Sequence, residues 1–419
     1  MAREQYIVGL DIGSQNIRVI QAKLPMENGK PLSVVGAAQV SSQGMRKGVI
    51  VDIEETVSCI SQALERVERM TGVPVEAANV SLSGNHVSSV HSHGVIAVSR
   101  ADGEITEADI LRCVDASQAI SIPQNREVVH VFPKTFTLDG QSGIRDPLGM
   151  SGIRLEVDTI IVQAGLPFVR NLSKAVLQAG LEIQDLVLAP LSASEAVLNK
   201  RQKDLGVAVV DMGAGTTSIA VYEEGDLLHT AILPVGSQHI TNDIAIGLRC
   251  SIETAEKVKL AYGHANPKAT SRDEEIDLSK IDQSETQTTS RFYVIEIIEA
   301  RLEEIFSLIQ SELKKISRDG KLPSGIVLTG GGSNLPGVVE FAKAHLRLPA
   351  ALGASENVNT IIDRVNSSEF ATAVGLVMWG EKFSEGGFSQ GGTFGGSLRK
   401  LTKLVNFEKV KKWVKAFLP

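Results

Sequence analysis

Two aspartate-glycine turns, Asp11-Ile12-Gly13-Ser14 and Asp211-Met212-Gly213-Ala214-Gly215-Thr216-Thr217, each lie between β-type runs. Residues 6–10 lead into the first and 17–20 leave it; residues 206–210 lead into the second and 218–222 leave it. Each turn is therefore a predicted hairpin tip. Where glycine lets the backbone come close, unpaired N–H groups and the hydroxyls of Ser14, Thr216 and Thr217 can donate to phosphate oxygens. Asp11 and Asp211 would face a cation through its waters, because Mg2+ keeps much of its hydration shell. Either turn alone reads equally as an ordinary Asp-Gly hairpin; together they can clamp one phosphate chain.

A third glycine segment adds to the pair. Residues 325–329 form a short β-type run that enters Gly330-Gly331-Gly332-Ser333-Asn334-Leu335-Pro336-Gly337, followed by a helical pattern. Triple glycine removes side chains, so a flat purine ring can lie on the backbone, and the helix start offers N–H groups. Such strand-to-helix turns are also common in parallel sheets. Glu256 and Lys259, three apart on a predicted helix, share a face and can either hydrogen-bond a ribose or form a solvated ion pair. His86, His91 and His93 do not indicate a metal centre: only His91 and His93 share a strand face, and no acid or cysteine is spaced nearby.

The 419 residues suffice for two or three domains. Aromatic residues make up 4% and the net charge is −7, which suits an aliphatic α/β interior and argues against a nucleic-acid partner. Cys59, Cys113 and Cys250 are scattered, as in a reduced cytosolic compartment. Neither a signal peptide nor a membrane span is expected.

Along the chain, Asp52 opens a capped helix whose apolar stripe is Ile53, Val57, Ile60, Leu64, Val67 and Met70. Between 84 and 162 the texture changes to alternating segments around one helix capped by Thr106, read as an inserted subdomain. Pro167 starts another helix, and residues 186–198 run a strand into a helix with Ser192, Ser194 and Glu195. After helices near 240–248 and 252–262, residues 264–290 look too hydrophilic to hold a core. A long helix covers 293–316, and a last one, 368–379, is rich in small residues, including Ala371, Ala373 and Gly375. Residues 384–397 are a Gly/Ser-rich tether whose reach by random-coil scaling is roughly 20 Å.

The tail has its own physics. Residues 399–419 carry seven basic residues against Glu408 alone. With Asn406 as N-cap, Phe407, Val410, Trp413, Val414, Phe417 and Leu418 share one helix face, flanked by Lys409, Lys411, Lys412 and Lys415. Thirteen residues are marginal as an isolated helix, and an anionic bilayer surface would supply apolar burial and about 1 kcal/mol per lysine. Docking on the protein's own body or on a partner groove is the alternative.

Phosphate turn, small-residue helix, second phosphate turn, glycine turn and second small-residue helix, in that order, resemble the actin, Hsp70 and sugar-kinase superfamily over residues 5–383. The insertion at 84–162 and the basic helix behind a glycine linker look like FtsA, the bacterial actin-related division family. The resemblance implies an α/β, actin-like two-lobed fold with an inserted α+β subdomain and a C-terminal amphipathic helix on a flexible linker. The first lobe would be 1–83 with 163–200 and 365–383; the second, 201–236 with 302–364, and its subdomain 237–301; the anchor would be 398–419. It implies ATP with Mg2+ between the lobes, the cation held through water by Asp11 and Asp211. Phosphates would be held by Gly13, Ser14, Gln15, Gly213, Ala214, Gly215, Thr216, Thr217 and Gly236. The base would lie on Gly330, Gly331, Gly332, Ser333 and Leu335, with Glu256 and Lys259 near the ribose, and the two small-residue helices would cross at a hinge. It further implies self-assembly into filaments, a peripheral place on the cytoplasmic side of the cell membrane at the division site, and FtsZ and later division proteins as partners. One departure bears on catalysis. Members that turn over readily carry an acid or amide where this chain has Ala189-Pro190, with Glu195 one turn on as the substitute, so at most slow ATPase activity is expected. A small-molecule kinase of the same fold would need an aspartate base that is not identified here, and a pilus or secretion assembly scaffold is the remaining alternative.

Overall fold

The β-branched runs flanking each aspartate-glycine turn pair with one another, and each hairpin seeds a sheet. The computed structural model describes residues 4–25, 31–99, 102–119, 123–283, 285–355 and 358–384. The basic tail and all but the first residue of the tether lie outside them. Strand β1 (Tyr6–Ile12) is antiparallel to β2 (Asn16–Lys23), with Asp11 opposite Arg18, and β2 to β3 (Leu32–Ser41). A short hairpin, β4 (Met45–Arg46) and β5 (Val49–Ile50), precedes helix α1 (Ile53–Thr71). Asp52 caps α1 by accepting the Glu55 N–H at 3.0 Å, and Gly72 ends it in the left-handed conformation. Ile60, Leu64 and Val67 are buried as the stripe predicts, but Met70, in the last turn beside the cap, is exposed.

After α1, β6 (Ala77–Leu82) runs parallel to β1. The inserted segment follows: β7 (Ser88–Ala97), α2 (Glu107–Ser117), β8 (Arg126–Leu138), β9 (Gln141–Ile144) and β10 (Arg154–Gly165). These strands form an antiparallel sheet in the order β7-β10-β8-β9, with α2 packed on β7 and β10. Ile110, Cys113, Val114, Phe136, Leu155 and Ile161 fill its own core. Residues 86–170, joined by the end of the last helix from Trp379, form a compact unit distinct from residues 1–85 and 171–378.

Within the larger unit, the layout repeats. Helix α3 (Leu166–Gln178) leads to β11 (Glu182–Leu188), parallel to β6, then to α4 (Ala189–Val197) and α5 (Lys200–Leu205). β12 (Val207–Met212), β13 (Thr217–Glu223) and β14 (Asp226–Leu233) form a second antiparallel meander. Helices α6 (Ser237–Leu248), α7 (Ile252–Tyr262) and α8 (Arg291–Lys315) follow, then β17 (Ile326–Thr329), α9 (Val338–Leu346) and β18 (Ala350–Leu352). The two sheets, β11-β6-β1-β2-β3 and β18-β17-β12-β13-β14, thus match strand for strand: a meander whose first strand pairs with a parallel strand, itself paired with another. β19 (Val358–Thr360) extends the first sheet, and α10 (Ala371–Ser384) closes the described chain.

The polar stretch 264–290 contradicts its expectation. It forms a small hairpin, β15 (Glu275–Asp277) with β16 (Thr288–Ser290), and buries Ala265, Ile276 and Leu278 in the second sheet's core. Each is a single apolar residue among polar neighbours that turn outward, a pattern that mean hydrophilicity hides. Helices α4 and α10 meet as closely as their small residues allow: Ser192 Oγ donates to the Thr372 carbonyl at 2.7 Å, and a Cβ on Gly375 would overlap the Ser192 carbonyl oxygen.

Candidate functional site

The β1–β2 and β12–β13 tips are aimed at one another. In each, the glycine N–H closes a tight turn: Gly13 donates to the Asn16 carbonyl at 3.1 Å and Gly213 to the Thr216 carbonyl at 2.9 Å. A Cβ on Gly215 would come within 2.7 Å of Ser14 Oγ, so only glycine lets the second turn reach the first. Between them is a cavity of about 90 Å³ lined by Asp11, Gly13, Ser14, Gln15, Asp211, Gly213, Ala214, Gly215, Thr216, Gly330 and Gly331. A Cβ on Gly331 would meet open space, whereas Gly330 sits at φ 82 against Asp211.

The electrostatics of this cavity centre on its two aspartates. Ser81 Oγ donates to Asp11 Oδ1 at 2.8 Å, with Arg18 Nη1 3.9 Å from Oδ2, and Thr372 Oγ1 donates to Asp211 Oδ2 at 3.3 Å. Burial pushes the Asp11 carboxyl up, against the pull of Arg18 and Ser81. Burial, then the negative charge of Asp11, pushes Asp211 up to about 6. Two buried carboxylates, both raised by burial and one raised further by the charge of the other, beside a set of backbone donors suit a hydrated divalent cation, which would offset the cost of their burial.

Other expected site residues sit elsewhere. Thr217 is fully buried and spends its hydroxyl on the Val235 carbonyl at 2.8 Å, so it holds the turn instead of facing a ligand. Gly236 is the N-cap of α6, where a Cβ would press on the Ala214 carbonyl oxygen. Gly332 packs on Met212, Ser333 Oγ donates to the Gly330 carbonyl at 2.7 Å, and Leu335 packs on the second sheet's core. Lys259 Nζ bonds Glu256 at 2.7 Å and Thr241 at 2.8 Å, a closed triad in which Thr241 also donates to Glu256. Glu195 is paired with Lys203 at 2.8 Å, whose ammonium lies over the Tyr222 ring; it does not line the cavity, whereas Ala189 does.

Sequence reasoning missed several lining residues: Arg18, Gly48, Ser83, Glu369 and Thr372. Arg18 pairs with Glu369 at 3.2 Å. Its place opposite Asp11 follows from the hairpin register, but Glu369 lies 351 residues further along and has no sequence signature.

A family model described as "Cell division protein FtsA" matches residues 208–375, and one described as "SHS2 domain inserted in FTSA" matches 84–163. The chain is 37% identical over 408 residues to a cell division protein FtsA of Pseudomonas aeruginosa, covering 97% of each, and 38% identical over 379 residues to that of Bacillus subtilis, covering 90% and 84%. It is 30% identical to that of Escherichia coli, covering 90% of each. Among solved structures it resembles a PilM-PilN type IV pilus biogenesis complex (TM-score 0.65, 19% identity, 90% of this chain and 98% of that one). It also resembles MreB5 of Spiroplasma citri bound to AMPPNP (TM-score 0.54, 14% identity, 91% and 98%). These likenesses cover about nine-tenths of the chain and show an actin-like fold, while the curated relatives span nearly the whole chain. The chain belongs to the FtsA family of actin-like cell division proteins.

Proposed function

We propose that the chain binds ATP with Mg2+ in the cavity between the two turns and, so loaded, assembles into actin-like filaments that tie FtsZ to the cytoplasmic face of the cell membrane. The observation that carries the nucleotide reading is the meeting of the turns, Gly215 against Ser14, around the Asp11–Asp211 pair. Two related solved structures, MreB5 bound to AMPPNP and to ADP, have the same fold. When bound, Mg2+ would supply the positive charge that the two aspartates and the phosphates need between them. Asp11 and Asp211 would hold the hydrated cation, and the backbone N–H groups at Ser14–Gln15 and Ala214–Thr216 would donate to phosphate oxygens, while those of Gly13 and Gly213 close the turns. The Gly331 face is open for the base, and Glu256 and Lys259 are assigned to the ribose.

Turnover in this reading is slow. Ala189 stands in the cavity wall where a water-orienting side chain is wanted, and Glu195 is held by Lys203. Residues 84–162 are assigned to the inserted subdomain, 384–397 to a tether, and 398–419 to a peripheral anchor for anionic lipid. No helix among the described residues is long and apolar enough to cross a membrane. The test is nucleotide-dependent thermal stabilisation of the full chain. Gly213→Asp, which sets a carboxylate among the phosphate donors, is expected to abolish it; stabilisation equal to wild type would place the nucleotide elsewhere.

A further inference from the structure

The short β4–β5 hairpin was not part of any expected site, yet it touches both turns. Gly48 N–H donates to Ser14 Oγ at 2.9 Å, and a Cβ on Gly215 would lie 2.9 Å from Lys47 Cα. The tip is tightly wound: Lys47 is left-handed at φ 50 between Gly44 and Gly48, both at φ 75. A lysine in that conformation is strained, and the contacts to both turns hold it there. Gly48 lines the cavity between the aspartates. Lys47 and Arg46 line an adjoining cavity of about 690 Å³, and Ser14 and Gly215 line both. The hairpin therefore stands where the phosphate cavity opens into the larger one.

Its charge is uncommitted. Arg18, the other cation at the site, is paired with Glu369, but the side chains of Arg46 and Lys47 have no hydrogen-bond or ion-pair partner among the described residues. The adjoining cavity holds one carboxylate, Glu55, against Arg46, Lys47 and His239. Burial lowers the proton affinity of His239, and the nearby Lys47 charge lowers it further.

We propose that this hairpin is the third wall of the phosphate site and that Lys47 binds the last phosphate of a nucleoside triphosphate, making the site prefer the triphosphate to the diphosphate. The inference rests on the cavity being a nucleotide site. In this proposal a phosphate chain lying across Ser14 and Gly215 would bring its last phosphate to the hairpin, and a chain one phosphate shorter would stop before it. Lysine suits the task because its flexible stem carries a compact cation that follows the phosphate without fixed geometry.

Thermal stabilisation of the full chain, titrated with MgATP, MgAMPPNP and MgADP, tests it. Lys47→Gln is expected to weaken both triphosphates about tenfold, equivalent to about 1.4 kcal/mol, and to leave MgADP within about twofold, while Lys47→Arg restores most of the loss. A purely structural role for the hairpin would weaken all three ligands alike. That outcome, or an unchanged preference in a protein that binds both nucleotides, overturns the role of Lys47 and leaves the nucleotide site standing. A wild-type protein stabilised by neither overturns both.

Discussion

Replacing Asp211 by asparagine separates what the acid pair does to stability from what it does for ligands. The carboxyl is raised from an ordinary 3.8 to about 6, first by burial and then by Asp11. That difference corresponds to about 3 kcal/mol. The sign follows from linkage: between about pH 4 and 6 the folded chain keeps a proton that the unfolded chain has lost, so folding stability falls as pH rises through this range and the full penalty is present above it. Asparagine has the same shape, keeps an acceptor for Thr372 Oγ1, and carries no charge. In chelator without nucleotide, Asp211→Asn is therefore expected to be more stable than wild type at pH 7.5, by up to about 3 kcal/mol, with the gap narrowing toward pH 4.5. The same variant should lose MgATP-dependent stabilisation, because one of the two carboxylates proposed to hold the hydrated cation through its waters is gone. Guanidinium unfolding at stepped pH, read as the difference between the two proteins, cancels the titration of other groups. A variant less stable than wild type at pH 7.5, or a gap that does not close on acidification, would refute the reasoning.

Two further outcomes are expected. Gly375→Val should destabilise the chain by about 3 kcal/mol or more, because its side chain must enter the Ser192 carbonyl and the helices can yield only by moving apart; thermal unfolding reads it. In the tail, Trp413→Glu should remove nearly all binding to anionic liposomes, whereas Lys411→Glu with Lys412→Glu should weaken it in a salt-dependent way, both by co-sedimentation; unchanged binding in the tryptophan variant would turn the tail toward a protein groove.

What the sequence discloses depends on whether the signal is local. The two turns and the Asp52 and Thr106 caps are written in a few neighbouring residues, and all occur in the fold. The closeness of α4 and α10 is also legible, since small residues in both helices have no use unless backbones approach. Signals carried by pairing across the chain are not. His93 has two carboxylate partners, Asp158 at 2.9 Å and Glu156 at 3.0 Å, although no acid is near it in sequence; the β7–β10 register supplies them. Glu195 is expected to substitute for a water-orienting acid because it lies one turn past Ala189-Pro190, but Lys203, eight residues on, pairs with it where α5 packs beside β13. The hairpin at Lys47 shows the limit most sharply. Gly44-Met-Arg-Lys-Gly48 carries no site signal of its own, and its meaning comes from Ser14 and Gly215, one in the turn of each sheet, which define a position that neither turn could announce alone. In a site assembled from two halves of a repeated fold, the residues within each half are legible and those that answer to both halves at once are not.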